Sequence, residues 1–512
     1  MSKIFTMSAE GKSEYCCNVV KIGEIKPIDG SDFLGETMVN GQSVVVRKDQ
    51  VHEGDVYFYA ANECQLNEKF LSINNLFDIN SFELNANAED VKELFVKSDS
   101  TEDKNERDKY RDEAKRKVGF FNKNGRVRMI RLRKVPSYGF LFSLDEMVKY
   151  CPKAKDVNLE EYINKDFDTV DGELFVKAYV PYVPERTHAN GNKRMKRFQK
   201  RVDRFDRIIP GEFVLQYETK QLGKNIEKIN PDDVLTISVK KHGKSGIFAN
   251  VKVRVPIKLP FFQRAWNFLV DSTGIFKKWR VTDYIIDYSD VCSSRKVIRN
   301  QFINKDVEKQ YDDSNIWKEY NELLKDKLDK GMTVYGEIIG YETNSQTMMQ
   351  KEYDYGCEVG TNKFMPYRIT TETEDGKKYE WDVSEVKEWT EQLIKKYPDI
   401  KERIDVIDIL YQGTLRDLYP TLDVKHHWHN DVLLQMKADK EHFGMELNEP
   451  LCKAYKVPRE GVVIRINGDP VAEAFKLKTD NFFLREKKEI DKGNIDAEMS
   501  ETYTNEDVNN DK

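Results

Sequence analysis

Residues 234–245 read VLTISVKKHGKS, a β-branched run followed by a lysine-rich turn. The run predicts a strand that ends at Lys240, and Gly243 predicts the turn after it. Such a strand presents an amine at its end, and burial or neighbouring cations help to keep a lysine amine neutral and nucleophilic. Lys241 and Lys244 are expected to supply those neighbouring charges. By itself the pattern fits an ordinary turn as well as a covalent nucleophile.

A second lysine-bearing region lies near the other end of the chain. Glu460 precedes GVVIRI, residues 461–466, which predicts a turn followed by a buried strand. The run AFKLK, residues 474–478, predicts another strand, on which alternation places Lys476, sixteen residues after Glu460, and Lys478 on one face. A lysine that attacks, carboxylates that hold a metal and two lysines that bind phosphate would suit nucleotidyl transfer.

The order and the residues of these motifs resemble those of the ATP-dependent RNA ligases, a branch of the covalent nucleotidyltransferases. Residues 240–245 resemble the family's first motif, Lys-x-His-Gly-x-Ser/Asn, in which His242, Gly243 and Ser245 would contact the nucleotide. Residues 460–465 resemble its fourth motif and residues 476–478 its fifth. The chain reads much like the branch typified by the Deinococcus radiodurans RNA ligase, from about residue 15 to 490. Joint occurrence of the motifs in this order is specific, although each alone is not.

The resemblance implies an α+β fold, with an N-terminal OB-type β-barrel followed by a nucleotidyltransferase domain of ATP-grasp-like antiparallel sheets and helices. We expect the OB domain over 1–165, a basic linker over 166–207, the adenylyltransferase domain over 208–490 and an acidic tail over 491–512. The β-like runs between Tyr15 and Asn62 and the alternate arginines from Arg126 to Arg133 suit the first domain. Those arginines fit either a solvated sheet face or a groove for a sugar-phosphate backbone.

Further site residues follow from the same resemblance. Arg295 would contact nucleotide or a 5′-phosphate, since its planar fork binds two oxygens at once. Glu337 would accept a hydrogen bond from the ribose or help with metal, and Glu460 would hold Mg²⁺ or Mn²⁺. Tyr367 would place its ring against adenine, although most buried aromatic rings simply pack.

Residues 312–330 predict a helix with Ser314 as N-cap and an apolar stripe that belongs to the core.

The activity implied is ATP-dependent joining of RNA ends through a lysyl-AMP intermediate on Lys240, with Lys476, Lys478 and Glu460 as catalytic partners. The partner would be RNA or RNA/DNA ends, most simply a nicked duplex with an RNA 3′-hydroxyl strand, bound by a monomer. Two alternatives stay open. One is another covalent nucleotidyltransferase, such as a DNA ligase or a capping-type enzyme, which usually carries aspartate at the position of His242. The other is a non-catalytic nucleic-acid-binding protein that contains an OB module.

Charge and cysteine content bear on the partners and the compartment that fit this sequence. The net charge is −6, but residues 491–512 hold seven acids against two lysines, so the remainder is near neutral and a basic groove is not excluded. Eight basic residues between Lys193 and Arg207 could contact phosphate or only aid solubility. Seven cysteines without a Cys-x-x-Cys pair indicate reduced thiols in a cytoplasmic compartment. No apolar run is long enough for a membrane span.

Three histidines within His426–His429 invite a zinc hypothesis. However, no cysteine pair or second histidine group lies at the spacing of a zinc finger. A surface or helix-end cluster is the simpler interpretation.

Overall fold

The computed structural model describes residues 4–9, 11, 13–180, 205–273, 277–302, 315–373, 375–423, 428–445, 447–468 and 473–491. The chain divides into two compact units. The first comprises residues 1–181 with 429–433 and 483–492, and the second comprises residues 182–428 with 434–482 and 493–512. The basic residues between 193 and 204, His426 and His427, and the acidic residues after 491 lie outside the described residues. In the described part, every helix is too short or too polar to cross a bilayer.

The first unit is a mixture of short antiparallel sheets and helices. Its main sheet has the strand order Phe140–Phe142, Val56–Ala60, Cys17–Lys21 and Asp166–Phe167, and a meander next in sequence contains Lys26–Pro27, Leu34–Val39 and Gln42–Arg47. The other strands are Phe5–Thr6, Cys64–Leu66, Ile130–Leu132, Val135–Ser137, Thr169–Val170, Glu173–Leu174 and Val176–Ala178, and the helices are Glu68–Ile73, Ala88–Ser100, Lys104–Arg116 and Leu144–Tyr150. Residues 166–178, which we expected to begin the linker, therefore pair with strands of this unit.

Aromatic packing forms the core of the first unit. The Phe58 ring stacks on Phe142 at 5.1 Å between centroids and meets Phe5 edge to face at the same distance. These rings are at most 3% exposed, so the unit buries a large apolar area for its size. Phenylalanine contacts across the inner face thus stabilise the sheet that the β-like runs predicted.

Arg126 has a structural role that the alternation of arginines did not predict. Only Ile130–Leu132 of that region is a strand. Arg126 is 2% exposed, and its Nε donates to Glu63 Oε2 at 2.7 Å, while its Nη1 lies 3.4 Å from Asp491 Oδ1. A guanidinium buried against two carboxylates is an internal ion pair, so Arg126 does not line a solvent-facing groove.

The second unit contains two five-stranded sheets among its described residues. We call the first the lysine sheet, with the order Thr219–Gln221, Ala474–Lys478, Gly461–Ile466, Leu235–Lys240 and Ile409–Gly413. We call the second the hairpin sheet, with the order Tyr284–Ser293, Lys244–Pro256, Met332–Gly340, Asn362–Glu372 and Lys378–Glu380. Thr219–Gln221 pairs in parallel with its neighbour, and the other pairs are antiparallel.

Helices cover the hairpin sheet on its apolar face. Ile316–Leu324 and Val383–Lys396 pack against Phe248, Val334 and Phe364 of the sheet. The remaining described helices are Leu222–Asn225, Phe261–Thr273, Leu415–Leu418, Trp428–Ala438 and Asp480–Asp491. The helix expected over 312–330 is confirmed only over its central nine residues, and Ser314 lies outside the described part of the chain. Its apolar stripe is buried as expected.

Candidate active site

Lys240 is the last residue of its strand, as the β-branched run predicted. Its Nζ lies 2.8 Å from Oε1 of Glu460, which precedes the neighbouring strand. The Nζ of Lys478 lies 3.6 Å from the same oxygen. The side chain of Lys240 is 25% exposed, so solvent or a ligand can reach it, whereas Glu460 is 3% exposed. Two amines therefore share one buried carboxylate.

Strand register explains why residues so far apart in sequence meet. Lys240 pairs with Gly461, and Gly461 pairs with Lys478, so all three lie in one row across the lysine sheet. Directly paired residues of antiparallel strands project on the same face. Gly461 adopts φ = 150°, and a Cβ there would clash with the carbonyl of Leu477. Glycine at position 461 thus allows the strands to pair closely, and no side chain stands between Lys240 and Lys478 in this row.

Lys476 occupies the next row on the same face. It pairs with Val463, which pairs with Ser238 two residues before Lys240. The alternation that placed Lys476 and Lys478 on one face is therefore seen in the structure, and both side chains are partly exposed. The face carries three lysines within two adjacent rows, which makes it suitable for an anion such as phosphate.

The carboxylate of Glu460 stays ionised despite its burial. Burial alone would raise its pKa, but Lys240, Lys478 and His242 outweigh that effect and hold the pKa below the ordinary value. The second oxygen, Oε2, lies 3.8 Å from Nδ1 of His242 and accepts no hydrogen bond within the described part of the chain. A buried anionic oxygen without a donor is a position at which a cation or a water would be stabilised.

The turn after Lys240 is fixed by Glu337 on the neighbouring sheet. The backbone N–H of Gly243 donates to Glu337 Oε1 at 2.8 Å. A Cβ on residue 243 would clash with the carbonyl oxygen of Ile338 and lie 2.9 Å from Cγ of Glu337. Only glycine fits here. Gly243 therefore lets the turn approach the backbone of Ile338 closely, in addition to letting the chain change direction. Glu337 and Glu460 flank the same three-residue turn.

Three residues that the sequence did not single out for this task complete the turn. The N–H of His242 donates to the hydroxyl of Tyr355 at 2.7 Å, and Gln350 Nε2 donates to the carbonyl of Gly243 at 2.9 Å. The imidazole of His242 meets the ring of Tyr353 edge to face at 5.1 Å. Burial raises the pKa of Tyr355 well above its ordinary value, so its hydroxyl stays protonated. These partners lie about 110 positions away, and no local signal in the sequence reveals such a distant pairing.

Lys241 and Lys244 do not act as the expected cationic neighbours. Lys241 Nζ lies 2.8 Å from Asp405 Oδ2, and Lys244 Nζ lies 3.1 Å from Glu342 Oε1. Burial alone would lower the pKa of Lys241, but the carboxylates of Asp405 and Asp408 more than offset it and raise the pKa. Both lysines are less than 10% exposed and neutralised by partners. The prediction is therefore wrong on this point, and the second lysine near Glu460 comes from the distant strand that carries Lys478.

The other predicted residues occupy varied positions. Ser245 is buried and pairs in register with Glu337. Arg295 follows Ser293, the strand end that pairs with Ile247, so register places it at the same end of the hairpin sheet as Ser245. Tyr367 lies where the register shifts on its strand and packs against Val383 and Ile407. The adenine contact expected of Tyr367 stays a prediction.

The described residues fit a divalent metal only in part. No group of three or more His, Cys, Asp or Glu side chains able to hold a metal occurs among them. The unpartnered Glu460 Oε2 and the carboxylate of Glu337 offer hard oxygen ligands on either side of the turn. Mg²⁺ usually takes one or two carboxylates and completes its shell with water and substrate phosphates. The pair therefore suits a metal that arrives with a nucleotide.

The geometry defines a class of chemistry. The lysine at the strand end is reachable and can attack a phosphoryl group. A buried carboxylate lies beside it, and two more lysines on the same face can stabilise the negative charge that develops. These are the features of a covalent nucleotidyltransferase site.

Comparison with known proteins gave a family match over less than half of the chain. Residues 279–478 match the model of the RNA ligase family, and the matched segment contains Arg295, Glu337, Tyr367, Glu460, Lys476 and Lys478 but begins after Lys240. A search of curated proteins gave no significant match. Similar solved structures include Naegleria gruberi RNA ligase variants, one with ATP and Mn and one with AMP and Mn. Each is 16% identical, with a TM-score of 0.47, and the alignment covers 92% of this chain and 99% of the other.

Proposed function

We propose that this chain is an ATP-dependent RNA ligase that works through a lysyl-AMP intermediate on Lys240. The observation that carries the proposal is the 2.8 Å contact between Lys240 Nζ and buried Glu460, with Lys478 at 3.6 Å from the same oxygen. The family match over residues 279–478 also supports the proposal: it contains Glu460 and Lys478, although it begins after Lys240.

In the first step Nζ of Lys240 gives up its ammonium protons to solvent and attacks the α-phosphorus of ATP, so that a P–N bond forms while the bond to pyrophosphate breaks. AMP then passes from the lysine to the 5′-phosphate of an RNA end, which restores the amine. In the last step a 3′-hydroxyl attacks that phosphate, and AMP leaves. We propose that Glu460 orients the Lys240 amine and that Lys476 and Lys478 pair with phosphate oxygens, which the shared face of these lysines and the 3.6 Å distance from Lys478 Nζ to Glu460 support. Glu337 and Glu460 would hold a divalent metal, which would supply further positive charge when bound.

Several finer features belong to the same proposal. We propose that the chain seals nicked duplexes whose 3′-hydroxyl strand is RNA, that the first unit is an OB-type nucleic-acid-binding domain, and that the enzyme acts as a monomer. The antiparallel sheet and meander of the first unit support an OB-type arrangement. Arg295 and Tyr367 are proposed to contact the 5′-phosphate and adenine. A sealing assay with matched RNA and DNA strands across a nick, with ATP and Mg²⁺, tests the substrate preference.

The decisive test is transfer of label from ATP carrying ³²P at the α-phosphate. We expect wild-type protein to become covalently labelled, with an acid-labile bond typical of a phosphoramidate, and the Lys240→Ala variant to remain unlabelled. Lys258→Ala removes an exposed lysine distant in sequence from the motif and should label normally. Labelling of Lys240→Ala would refute the assignment, and labelling by GTP in place of ATP would indicate a capping-type enzyme.

A further inference from the structure

One β-hairpin of the first unit, over residues 130–137, turns through two cations. Leu132 pairs with Val135, so the loop consists of Arg133 and Lys134 alone. Both have a left-handed backbone, with φ of 49° for Arg133 and 72° for Lys134. Two positive φ angles in a two-residue loop define a type I′ turn, for which Asn-Gly is the favoured pair. Two long cationic side chains therefore occupy positions where they strain the backbone.

The two loop side chains gain nothing from the rest of the protein that would offset this strain. Arg133 and Lys134 are both exposed. Neither side chain makes an ion pair, a hydrogen bond or a ring contact with any residue that the structure describes. The two positive charges are also adjacent, so they repel each other. Strained residues concentrate where a ligand is held, and an anionic ligand would use both of these side chains.

The base of the hairpin is fixed in the interior of the first unit. Ser137 is 5% exposed, and its Oγ accepts from the N–H of Val45 at 2.9 Å. The N–H of buried Tyr138 donates to the carbonyl of Ser43 at 2.8 Å. A hairpin that is anchored at its base holds its turn in a defined position, so the two cations lose less freedom when they bind a partner.

A third cation lies toward the turn. The two contacts at the base run antiparallel along the strand Gln42–Arg47, so the turn lies toward the Arg47 end of that strand. Arg47 Nη2 lies 2.6 Å from Asp49 Oδ2, and this pairing balances the charge of the acid. Lys48 makes no ion pair with a described residue. This end of the first unit therefore presents positive charge to solvent.

We propose that the hairpin binds the sugar-phosphate backbone of the nucleic acid being joined, with Arg133 and Lys134 paired to phosphate oxygens. Such contacts position a polynucleotide without reading its sequence. A lipid surface would require exposed apolar side chains beside the cations, whereas Leu132 and Val135, which flank the turn, are half-buried. The inference rests on the proposed function for its choice of nucleic acid and specifies which residues of the first unit make the contact.

Replacing the loop by its favoured residue pair separates binding from folding. Arg133→Asn/Lys134→Gly removes both charges and relieves the strained turn, so the melting temperature should rise by about 2 °C. The affinity for a nicked duplex of about 24 base pairs with an RNA 3′-hydroxyl strand, measured by fluorescence anisotropy without ATP at about 100 mM salt, should fall at least about tenfold. The slope of log affinity against log salt should become shallower by about 1.8, or ~0.9 for each lost phosphate contact.

Two further variants control for charge. Arg133→Lys/Lys134→Arg keeps both charges and should bind within about twofold of wild type. Lys109→Gln/Lys155→Gln removes the same amount of charge from exposed helical positions of the first unit and should leave the affinity unchanged. All variants should form lysyl-AMP as wild type does.

Unchanged affinity and salt slope in Arg133→Asn/Lys134→Gly would overturn the proposal, as would an equal loss in Lys109→Gln/Lys155→Gln. A lower melting temperature in Arg133→Asn/Lys134→Gly would show that the two cations serve the fold, which also overturns it. So would a loss of binding only to phosphatidylserine vesicles or only to a peptide of residues 492–512, since either would identify another anion as the partner. Wild type that is labelled by ATP but binds independently of the turn refutes this inference alone. Wild type that is not labelled refutes the proposed function, while the binding result stands.

Discussion

Glu460 is the residue on which the charges of the site converge. Its lowered pKa means that ionised Glu460 stabilises the folded state above the ordinary carboxyl pKa of 4.5, and that this stability is lost as pH falls through the lower folded-state value. Replacing it by glutamine leaves Lys240 and Lys478 without their shared anion. Since removing one member of a buried ion pair is costly, we expect Glu460→Gln to lower the free energy of unfolding by about 2 kcal/mol at pH 7.

The pH dependence makes this prediction specific. In urea titrations, the difference between wild type and Glu460→Gln should shrink as pH is lowered below 4.5, because the wild-type carboxyl then becomes protonated as well. Glu53 is exposed, and Glu53→Gln should follow the wild type at every pH. A difference between wild type and Glu460→Gln that persists unchanged in acid would mean that packing, and not charge, gives Glu460 its stabilising effect.

At the scale of the element, the turn between the two sheets depends on Gly243. An alanine methyl group would clash with the carbonyl of Ile338 and press on Glu337, so the turn must move and the 2.8 Å hydrogen bond to Glu337 must lengthen. We expect Gly243→Ala to reduce the rate of lysyl-AMP formation at least about 100-fold, because small displacements of reacting groups have effects of that size. Quench-flow labelling with radioactive ATP measures it.

A second glycine provides the control for this substitution. Gly23 has open space around its missing Cβ, and its backbone does not require a positive φ. Gly23→Ala should therefore label at the wild-type rate. Gly243→Ala that labelled equally fast would show that the close approach to Ile338 is not needed for the chemistry.

The same element shows what the sequence could predict about the site. The β-branched run was enough to end a strand at Lys240, and period-two alternation was enough to place Lys476 and Lys478 on one face, because strand geometry is local. It could not identify the carboxylates that neutralise Lys241 and Lys244, since Asp405 and Glu342 lie far along the chain. Neither carboxylate lies in a strand, so their positions depend on the tertiary fold, which local pattern does not contain.

The helix prediction over 312–330 and the interpretation of the alternating arginines fell short for a related reason. The apolar stripe of Ile316–Leu324 repeats at helical spacing and was recognised, but the pattern did not show that the helix ends at Leu324. Arg126 alternates with other arginines as a solvent-facing strand residue would, yet it is buried against Glu63. Alternation predicts which face a residue shares and does not reveal a distant partner that can neutralise a charge inside the core.

At the scale of the whole molecule, the cysteines test whether the fold relies on disulfides. Six of the seven are buried, Cys357 is half-buried, and all seven are free thiols. Burial raises the pKa of Cys292 and of Cys452 to about 12, so fewer than roughly one in ten thousand of either are thiolate at pH 7.5. We expect at most one thiol, Cys357, to react with Ellman's reagent within minutes in the native protein, and seven to react in guanidinium.

The melting temperature should be the same with and without dithiothreitol, and Cys357→Ser should abolish the reaction of the native protein with Ellman's reagent. Two or more fast thiols in the native protein, or a melting temperature that falls on reduction, would contradict a tightly packed, disulfide-free fold.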